Sequence, residues 1–146
     1  MKVKLISYTP NPDKICAAAA LCCHSELDSC DIMSQLSEQK TKNILNKTIA
    51  SGHHSVIEHA NFTFSINRVS RALTHQLVRH RIASFSQQSQ RYVKMTMPMY
   101  VTPPAIKANA PALKQYEKFM ESAWAEYQSL VGAGINAEDA RFVLPN

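Results

Sequence analysis

An amphipathic repeat near the end of the chain constrains the fold most, because it requires about six turns of one regular element. Its apolar side chains recur every three or four positions, at Leu113, Tyr116, Met120, Ala123, Tyr127 and Leu130. This spacing places them on one side of an α-helix. Gly132 and Gly134 follow, and glycine commonly lies just past a helix end. We therefore predict one long helix from about Pro111 to Val131.

Turn and cap signals divide the start of the chain into a strand and a helix. A short strand is indicated by the apolar residues Val3, Leu5 and Ile6. It is expected to end at the turn that contains Pro10. Asn11 can cap a helix and Pro12 can occupy its first turn, so the pattern predicts a helix that runs to Cys23.

A second helix and a second strand follow. Ser37 is a typical cap for a helix over residues 38–50, and Gly52 lies just past its end. The residues expected on its inner face are Ile44, Leu45, Thr48 and Ile49. Apolar and polar residues then alternate, which predicts a half-buried strand with an inward face of Phe62, Phe64 and Ile66.

The middle of the chain changes from an alternating to a helical period. Ser70 is expected to cap a helix whose inward stripe is Ala72, Leu73, Gln76 and Leu77. The polar face of the same helix would present basic residues at a spacing of four: Arg71, His75 and Arg79. Further along, Tyr92 to Met97 has the pattern of a strand, and Asn136 is a possible cap for a short final helix.

The charge of the chain is concentrated in one segment. The formal net charge is +5, and the stretch from Arg68 to Lys94 contains no Asp or Glu. Such a block favours an anionic partner, such as a nucleotide, a polyphosphate or a nucleic acid.

The segment from Arg79 to Tyr92 has the side chains that a nucleotide requires. Arginine binds phosphate through two parallel hydrogen bonds and stays charged at physiological pH. Serine hydroxyls and glutamine amides both donate and accept hydrogen bonds, as the edge of a pyrimidine base requires. The alternative is structural, because basic residues at the end of a helix also stabilise its dipole.

A second polar group runs from Gly52 to His59. Ser55 and Glu58 have the spacing of a helix capping box. The competing hypothesis is a zinc hydrolase that uses His53, His54, Glu58 and His59. The HExxH spacing is absent, however, and the cysteines lie elsewhere, at positions 16, 22, 23 and 30. We expect those cysteines to be reduced thiols, mostly packed as small hydrophobic residues.

Three blocks together resemble one enzyme family. The pattern Arg79-His80-Arg81, Ser84, Ser89 and Arg91 is similar to the signature of flavin-dependent thymidylate synthases of the ThyX type. The segment from Gly52 to Phe64 resembles a second block of that family, and the segment from Ala140 to Pro145 resembles a third. They occur in the family's order and with similar spacing.

The resemblance implies an α+β subunit with a mostly antiparallel sheet flanked by helices, including one long amphipathic helix. It also implies a homotetramer with shared active sites. The activity would convert dUMP to dTMP, with methylenetetrahydrofolate as carbon donor, FAD as redox carrier and NADPH as reductant.

The resemblance also assigns roles to residues. Those expected to bind dUMP are Gln76, Arg79, Gln87, Gln88, Ser89, Arg91 and Arg141. Those expected to bind FAD are His53, Ser55, Glu58, Arg79, His80 and Arg81. No neighbour of Ser89 in the sequence can take its proton, so we expect it to support the reaction with Arg91 and not to act as a nucleophile. No metal is expected.

The remaining expectations concern the whole chain. No apolar stretch approaches the ~18 residues that span a bilayer, so we expect a single soluble, cytoplasmic domain over residues 1–146 that binds no membrane. Family members continue beyond the third block, so the domain is expected to lack its C-terminal part, to retain FAD poorly and to have little synthase activity. A basic module that binds nucleotides or nucleic acid without catalysis is the main alternative, although no motif that reads RNA or DNA is present.

Overall fold

The computed structural model describes residues 1–145, which divide into two units by their internal contacts. One unit comprises Val3–Ile66, and the other comprises Met1–Lys2 together with the chain from Asn67 onward. The expectation of a single domain stays a prediction.

The elements of the first unit follow one another with short connections. They are β1 (Lys2–Tyr8), α1 (Pro12–Cys22), α2 (Ser29–Gln35), α3 (Glu38–Ala50), a 3₁₀ segment (His54–His59) and β2 (Phe62–Asn67). The second unit contains only helices and irregular segments among the described residues. They are α4 (Arg71–Leu77), α5 (Pro104–Lys107), α6 (Ala110–Gly132), α7 (Ala137–Ala140) and a 3₁₀ turn (Arg141–Val143).

The core of the first unit lies where its three helices meet. The buried residues of this cluster are Ala17, Ala18, Ile32 and Leu36. Small side chains on α1 let the neighbouring helices approach closely, and the partly buried residues packed on the cluster are Leu21, Met33, Ile44 and Leu45. The predicted inner face of α3 is confirmed for Ile44 and Leu45 but wrong for Ile49, which is 42% exposed.

The sequence predicted cap residues for two helices of this unit, α3 and α1. The Ser37 hydroxyl accepts a hydrogen bond from the backbone N–H of Lys40, as predicted, and α3 ends just before Gly52, which has a left-handed φ of 79°.

The prediction that the Asn11 side chain caps α1 is wrong. Asn11 itself adopts a left-handed conformation with a φ of 48°, and its side chain makes no cap hydrogen bond. Pro12 nevertheless occupies the first position of α1, where its missing N–H has no cost.

The sheet consists of β1 and β2, which are antiparallel. The backbone N–H of Thr9 donates to the carbonyl of Asn61 at 2.9 Å, which sets the register of the pair. In this register one face carries the apolar residues Ile6, Tyr8, Phe62, Phe64 and Ile66. Strand β2 is confirmed, but its predicted inward face is wrong, because Phe62, Phe64 and Ile66 are 50%, 51% and 39% exposed. No element among the described residues buries this face.

The long helix predicted from the apolar repeat is confirmed as α6. The Asn109 side chain caps it by accepting a hydrogen bond from the N–H of Ala112 at 3.1 Å. Ala123 and Tyr127 are the buried residues of its apolar stripe. Tyr127 is only 2% exposed, and its hydroxyl accepts a hydrogen bond from the backbone N–H of Met95 at 3.2 Å. This bond fastens the preceding irregular segment to α6.

That segment contradicts one strand prediction. Residues 92–97 form turns and bends with no ladder partner, although their alternation is typical of a strand. A strand requires a neighbour for its backbone groups, and here the Tyr127 hydroxyl takes that role for Met95. The short final helix is present as α7, but the Asn136 side chain makes no cap hydrogen bond.

The α+β class and the long amphipathic helix are confirmed. The prediction that the cysteines are mostly packed as small hydrophobic residues is wrong for three of the four: Cys16 is buried, whereas Cys22, Cys23 and Cys30 are exposed. None of the helices in the described part of the chain combines the length and apolar character that crossing a membrane demands.

Candidate functional site

Helix α4 begins as predicted but ends early. The Ser70 hydroxyl accepts a hydrogen bond from the N–H of Leu73 at 3.1 Å. The helix stops at Leu77 with Val78 as its cap, and the backbone N–H groups of Arg79 and His80 then bond to carbonyls three residues back. Arg79 therefore lies outside α4, and the expectation that it shares a helix face with Arg71 and His75 is wrong.

The inward stripe predicted for α4 is wrong for three of its four residues. Ala72, Leu73 and Gln76 are exposed, and the less exposed positions are Arg71, Thr74 and Leu77. The helix has only seven residues, and none of them is buried. Gln76, expected to contact dUMP, lies in the last turn with its side chain in solvent.

The side chains of the basic segment that follows α4 are exposed to solvent. Arg79, His80 and Arg81 are all exposed, and none of them forms an ion pair within residues 1–145. Ile82 next to them has a φ of 64° and is 83% exposed. A β-branched residue is strained in this conformation, and strain of this kind is concentrated at binding sites.

Two polar side chains of the next segment are fixed by local hydrogen bonds. The Gln87 amide donates to the Thr74 hydroxyl at 2.8 Å, which fastens the segment to α4. The Ser89 hydroxyl accepts from the backbone N–H of Arg91 at 3.1 Å. Gln88, between them, is exposed. Thr74 was not anticipated as part of this group, because its contact depends on the chain folding back.

Arg91 and Arg141 meet at Glu138. The Arg91 guanidinium forms an ion pair with the Glu138 carboxylate, with 2.6 Å between Nε and Oε1. The Arg141 guanidinium donates through Nε to the backbone carbonyl of Glu138 at 3.0 Å. Each arginine also lies over the aromatic ring that follows it, Tyr92 or Phe142, at 5.5 Å from the ring centroid. Two of the predicted dUMP ligands from distant blocks are therefore brought together.

Glu138 gives the basic stretch an acidic partner that the local sequence does not show. The basic stretch contains no acid of its own, but tertiary folding supplies a carboxylate to Arg91. The pair is about half exposed, with 52% and 45% of the two side chains accessible, so its contribution is small. Sequence reasoning missed Glu138, although its position three residues before Arg141 was a usable signal.

The other predicted flavin ligands belong to the first unit. His53, Ser55 and Glu58 are all exposed, at the start of and within the 3₁₀ segment His54–His59. The predicted capping box is wrong, because the 3₁₀ segment begins before Ser55 and has no side-chain cap. The segment is held by Asn61, whose amide donates to the carbonyls of Glu58 and His59 at 3.4 Å and 3.5 Å.

A metal centre at this segment has no support. Within residues 1–145 there is no group of three His, Cys, Asp or Glu side chains arranged to hold a metal ion. His54, Glu58 and His59 are neighbours in sequence but do not converge.

Comparison with known proteins places these features in a family. The sequence profile of the thymidylate synthase complementing proteins matches residues 4–146. A flavin-dependent thymidylate synthase of Clostridium tetani is 43% identical over 162 residues, which cover 100% of this chain and 65% of the relative. The Geobacter sulfurreducens enzyme of the same name is 44% identical, with 100% and 64% covered. The chain therefore spans slightly less than two thirds of the length of these relatives.

A solved structure has a similar fold. The UMP/dUMP methylase PolB of Streptomyces cacaoi, bound with 5-Br dUMP, matches with a TM-score of 0.76 at 24% identity. The match covers 99% of this chain and 67% of the other. The names of these relatives give no support to a zinc hydrolase or to a nucleic-acid-binding module. With a family profile matched along almost its whole length, the chain belongs to the thymidylate synthase complementing protein family.

Proposed function

We propose that this chain contributes to the synthesis of dTMP by reductive methylation of dUMP, with methylenetetrahydrofolate as carbon donor and NADPH as reductant. The observation that carries the proposal is the convergence of Arg91 and Arg141 on Glu138, in a family whose relatives are named flavin-dependent thymidylate synthases. Because the chain covers 65% and 64% of those two relatives, the activity is proposed for an enzyme that contains this segment.

The dUMP phosphate would bind to Arg91 and Arg141. Both guanidinium groups use Nε for Glu138, which leaves their terminal N–H groups for a phosphate. Gln76, Arg79, Gln87 and Gln88 would contribute further polar contacts to the nucleotide. The partly exposed pair with Glu138 keeps Arg91 oriented while it remains accessible to water.

Ser89 would orient the nucleotide. Its hydroxyl already accepts a hydrogen bond from the Arg91 backbone, and none of the described side chains is bonded to it as a base. An unassisted serine hydroxyl is a weak nucleophile. Its O–H group can donate a hydrogen bond to the bound nucleotide, which would orient the base relative to the cofactor.

The residues proposed to hold FAD fit its chemistry. Arg79, His80 and Arg81 supply exposed donors for the two phosphates of the cofactor, and no carboxylate of the described residues neutralises them. His53, Ser55 and Glu58 supply hydrogen-bonding groups from an exposed segment. When bound, the flavin supplies the redox chemistry, while these side chains bind and orient it.

The enzyme would assemble as a homotetramer and act in the cytoplasm. A homotetramer with shared sites would allow Arg91 and Arg141 of one subunit to hold a nucleotide that Gln76 and Arg79 of another contact. Its substrates are charged metabolites of the cytoplasm, where we expect the enzyme to act.

The test is the formation of dTMP by a chimera. The chain is joined to the remaining segment of the Geobacter sulfurreducens relative and incubated with dUMP, methylenetetrahydrofolate, NADPH and FAD. We expect dTMP, detected by chromatography, with none formed when FAD is omitted. A flavin-loaded chimera that binds dUMP but makes no dTMP would refute the proposed reaction.

A further inference from the structure

Two exposed thiols face one cavity in the first unit. The cavity has a volume of about 390 Å³ and lies between α1, α2 and the 3₁₀ segment. Its walls include Cys22 at the end of α1 and Cys30 in the first turn of α2, with Ala18, Met33 and His59 beside them. Neither thiol is oxidised in the structure, and the proposed function uses neither of them.

The cavity distinguishes these two cysteines from the other two. Cys23 is exposed but does not line the cavity. Cys16 is buried, and burial, together with the nearby Asp13 carboxylate, raises the pKa of its thiol. Because the thiolate is the reactive species, Cys16 is unsuited to exchange.

The two cysteines lie at neighbouring helix ends. Helix α1 ends at Cys22 and α2 begins at Ser29, so only a short connection separates them. The core cluster of this unit includes Ala18 of α1 and Ile32 of α2. Because helix ends fray more easily than helix interiors, a disulfide between Cys22 and Cys30 would require adjustment at the helix ends and not in this cluster.

We propose that Cys22 and Cys30 form a dithiol modification site that low-molecular-weight disulfides oxidise to an intramolecular disulfide. One thiolate attacks the small disulfide, which forms a mixed disulfide and releases the first small thiolate. The other cysteine then attacks the protein sulfur of that mixed disulfide, and the second small thiol leaves. The protein loses two electrons and two protons, and the small disulfide becomes two thiols.

The experiment uses peptide mapping without reduction. The chain is incubated with oxidised glutathione, the remaining thiols are blocked, and the protein is cleaved after Glu26, which separates Cys22 from Cys30. We expect mass spectrometry to find the two halves linked, with fragment ions that assign the bond to Cys22 and Cys30. Mixed glutathione disulfides at both positions, without the link, would overturn the proposal.

Single variants test the pairing. Cys23→Ser is the matched control, and we expect its rate of linkage to stay within about two-fold of the unmodified chain. Cys22→Ser and Cys30→Ser should each lower the rate by at least about ten-fold, with the second cysteine then retained as a mixed disulfide. Equal linkage through Cys23 in the Cys22→Ser variant would show that chain flexibility, and not the cavity, selects the pair. Circular dichroism of each variant establishes that the helices are intact.

Discussion

Glu138 connects two arginines that lie far apart in the sequence. Its carboxylate pairs with Arg91, and its backbone carbonyl accepts from Arg141. The two contacts use different atoms of one residue, so both arginines are positioned without being fully neutralised. A phosphate that binds between them gains two guanidinium partners whose orientation is already fixed, which lowers the entropic cost of binding.

Replacing Arg91 with lysine tests the importance of guanidinium geometry. Lysine keeps the charge but loses the planar pair of donors, so we expect Arg91→Lys to weaken dUMP binding roughly ten-fold, or about 1.4 kcal/mol. The partly exposed pair contributes less than about 1 kcal/mol to stability, so the unfolding temperature should change little. Titration calorimetry of the chimera measures the first effect and thermal unfolding the second.

Lys94→Gln is the matched control for charge. Lys94 is a basic residue of the same segment and is exposed, but it has no proposed contact with dUMP. Its replacement should leave the affinity for dUMP nearly unchanged. Equal weakening by both substitutions would mean that general positive charge, and not the fork of Arg91, binds the nucleotide.

Ser89→Ala tests whether this hydroxyl positions dUMP or attacks it. If it only donates a hydrogen bond, its loss should weaken dUMP binding by about 1 kcal/mol, and turnover at saturating dUMP should persist. Steady-state kinetics of the chimera separate KM from kcat. Complete loss of turnover, with dUMP binding and flavin reduction intact, would instead identify Ser89 as a nucleophile.

At the scale of elements, local signals predicted some helix caps correctly and failed for others, such as Asn11 and Asn136, and they did not reveal long-range partners. Ser37 and Ser70 cap their helices as expected, because a cap is a contact within four residues. The apolar repeat of α6 is equally local. The strand predicted for Tyr92 to Met97 failed because its partner is the Tyr127 hydroxyl, which no local pattern reveals.

The candidate site shows the same difference between features that are local in sequence and contacts that depend on the tertiary fold. The basic residues from Arg79 to Arg91 were recognisable because they are contiguous in the sequence. Within this segment, Gln87 bonds to Thr74 and Arg91 pairs with Glu138. Both partners come from other elements, so these contacts depend on the tertiary fold. The early end of α4 also escaped prediction, because neither Gly nor Pro follows Leu77 to mark the end of the helix.

Tyr127 should stabilise the second unit through its hydroxyl. Tyr127→Phe leaves the backbone N–H of Met95 without its partner inside the protein, which costs about 1–3 kcal/mol when the donor is shielded from water. Tyr116→Phe is the control, since the Tyr116 hydroxyl donates to the carbonyl of Val101 in a more exposed setting. Urea unfolding should show the larger loss for Tyr127→Phe. An equal or smaller loss would contradict this role.

Asp28 should give α2 a stability that depends on pH. The backbone N–H groups of Asp31 and Cys30 hydrogen-bond its carboxylate and hold the pKa of Asp28 below its ordinary value of 3.8. Because the folded pKa is depressed, the stabilisation is present above pH 3.8 and is lost as the pH falls through the folded pKa. Asp28→Asn cannot titrate, so its stability should depend less on pH in this acid range. Identical curves for both proteins, measured by urea unfolding, would refute the effect.

At the scale of the whole molecule, the apolar face of the sheet stays exposed. Ile6 and Tyr8 on this face are 63% and 57% exposed. Surfaces of this kind are usually covered in an assembly, which supports the proposed homotetramer.

Sedimentation analysis tests that assembly. The chimera is heavier than the 16.3 kDa chain, so a tetramer is identified by four times the mass of the chimera itself. Contacts between apolar surfaces should survive raised salt, and we expect the chimera to sediment as a tetramer at micromolar concentration. A monomer at all concentrations would exclude shared active sites.

The measurement that tests the central claim most directly is the absorption spectrum of the purified chimera, recorded with FAD before and after dUMP is added. If Arg79 and Arg81 hold the cofactor while Arg91 and Arg141 hold the nucleotide, the protein retains yellow flavin after desalting, and dUMP shifts the flavin bands. A colourless protein whose spectrum does not respond to dUMP would contradict the account.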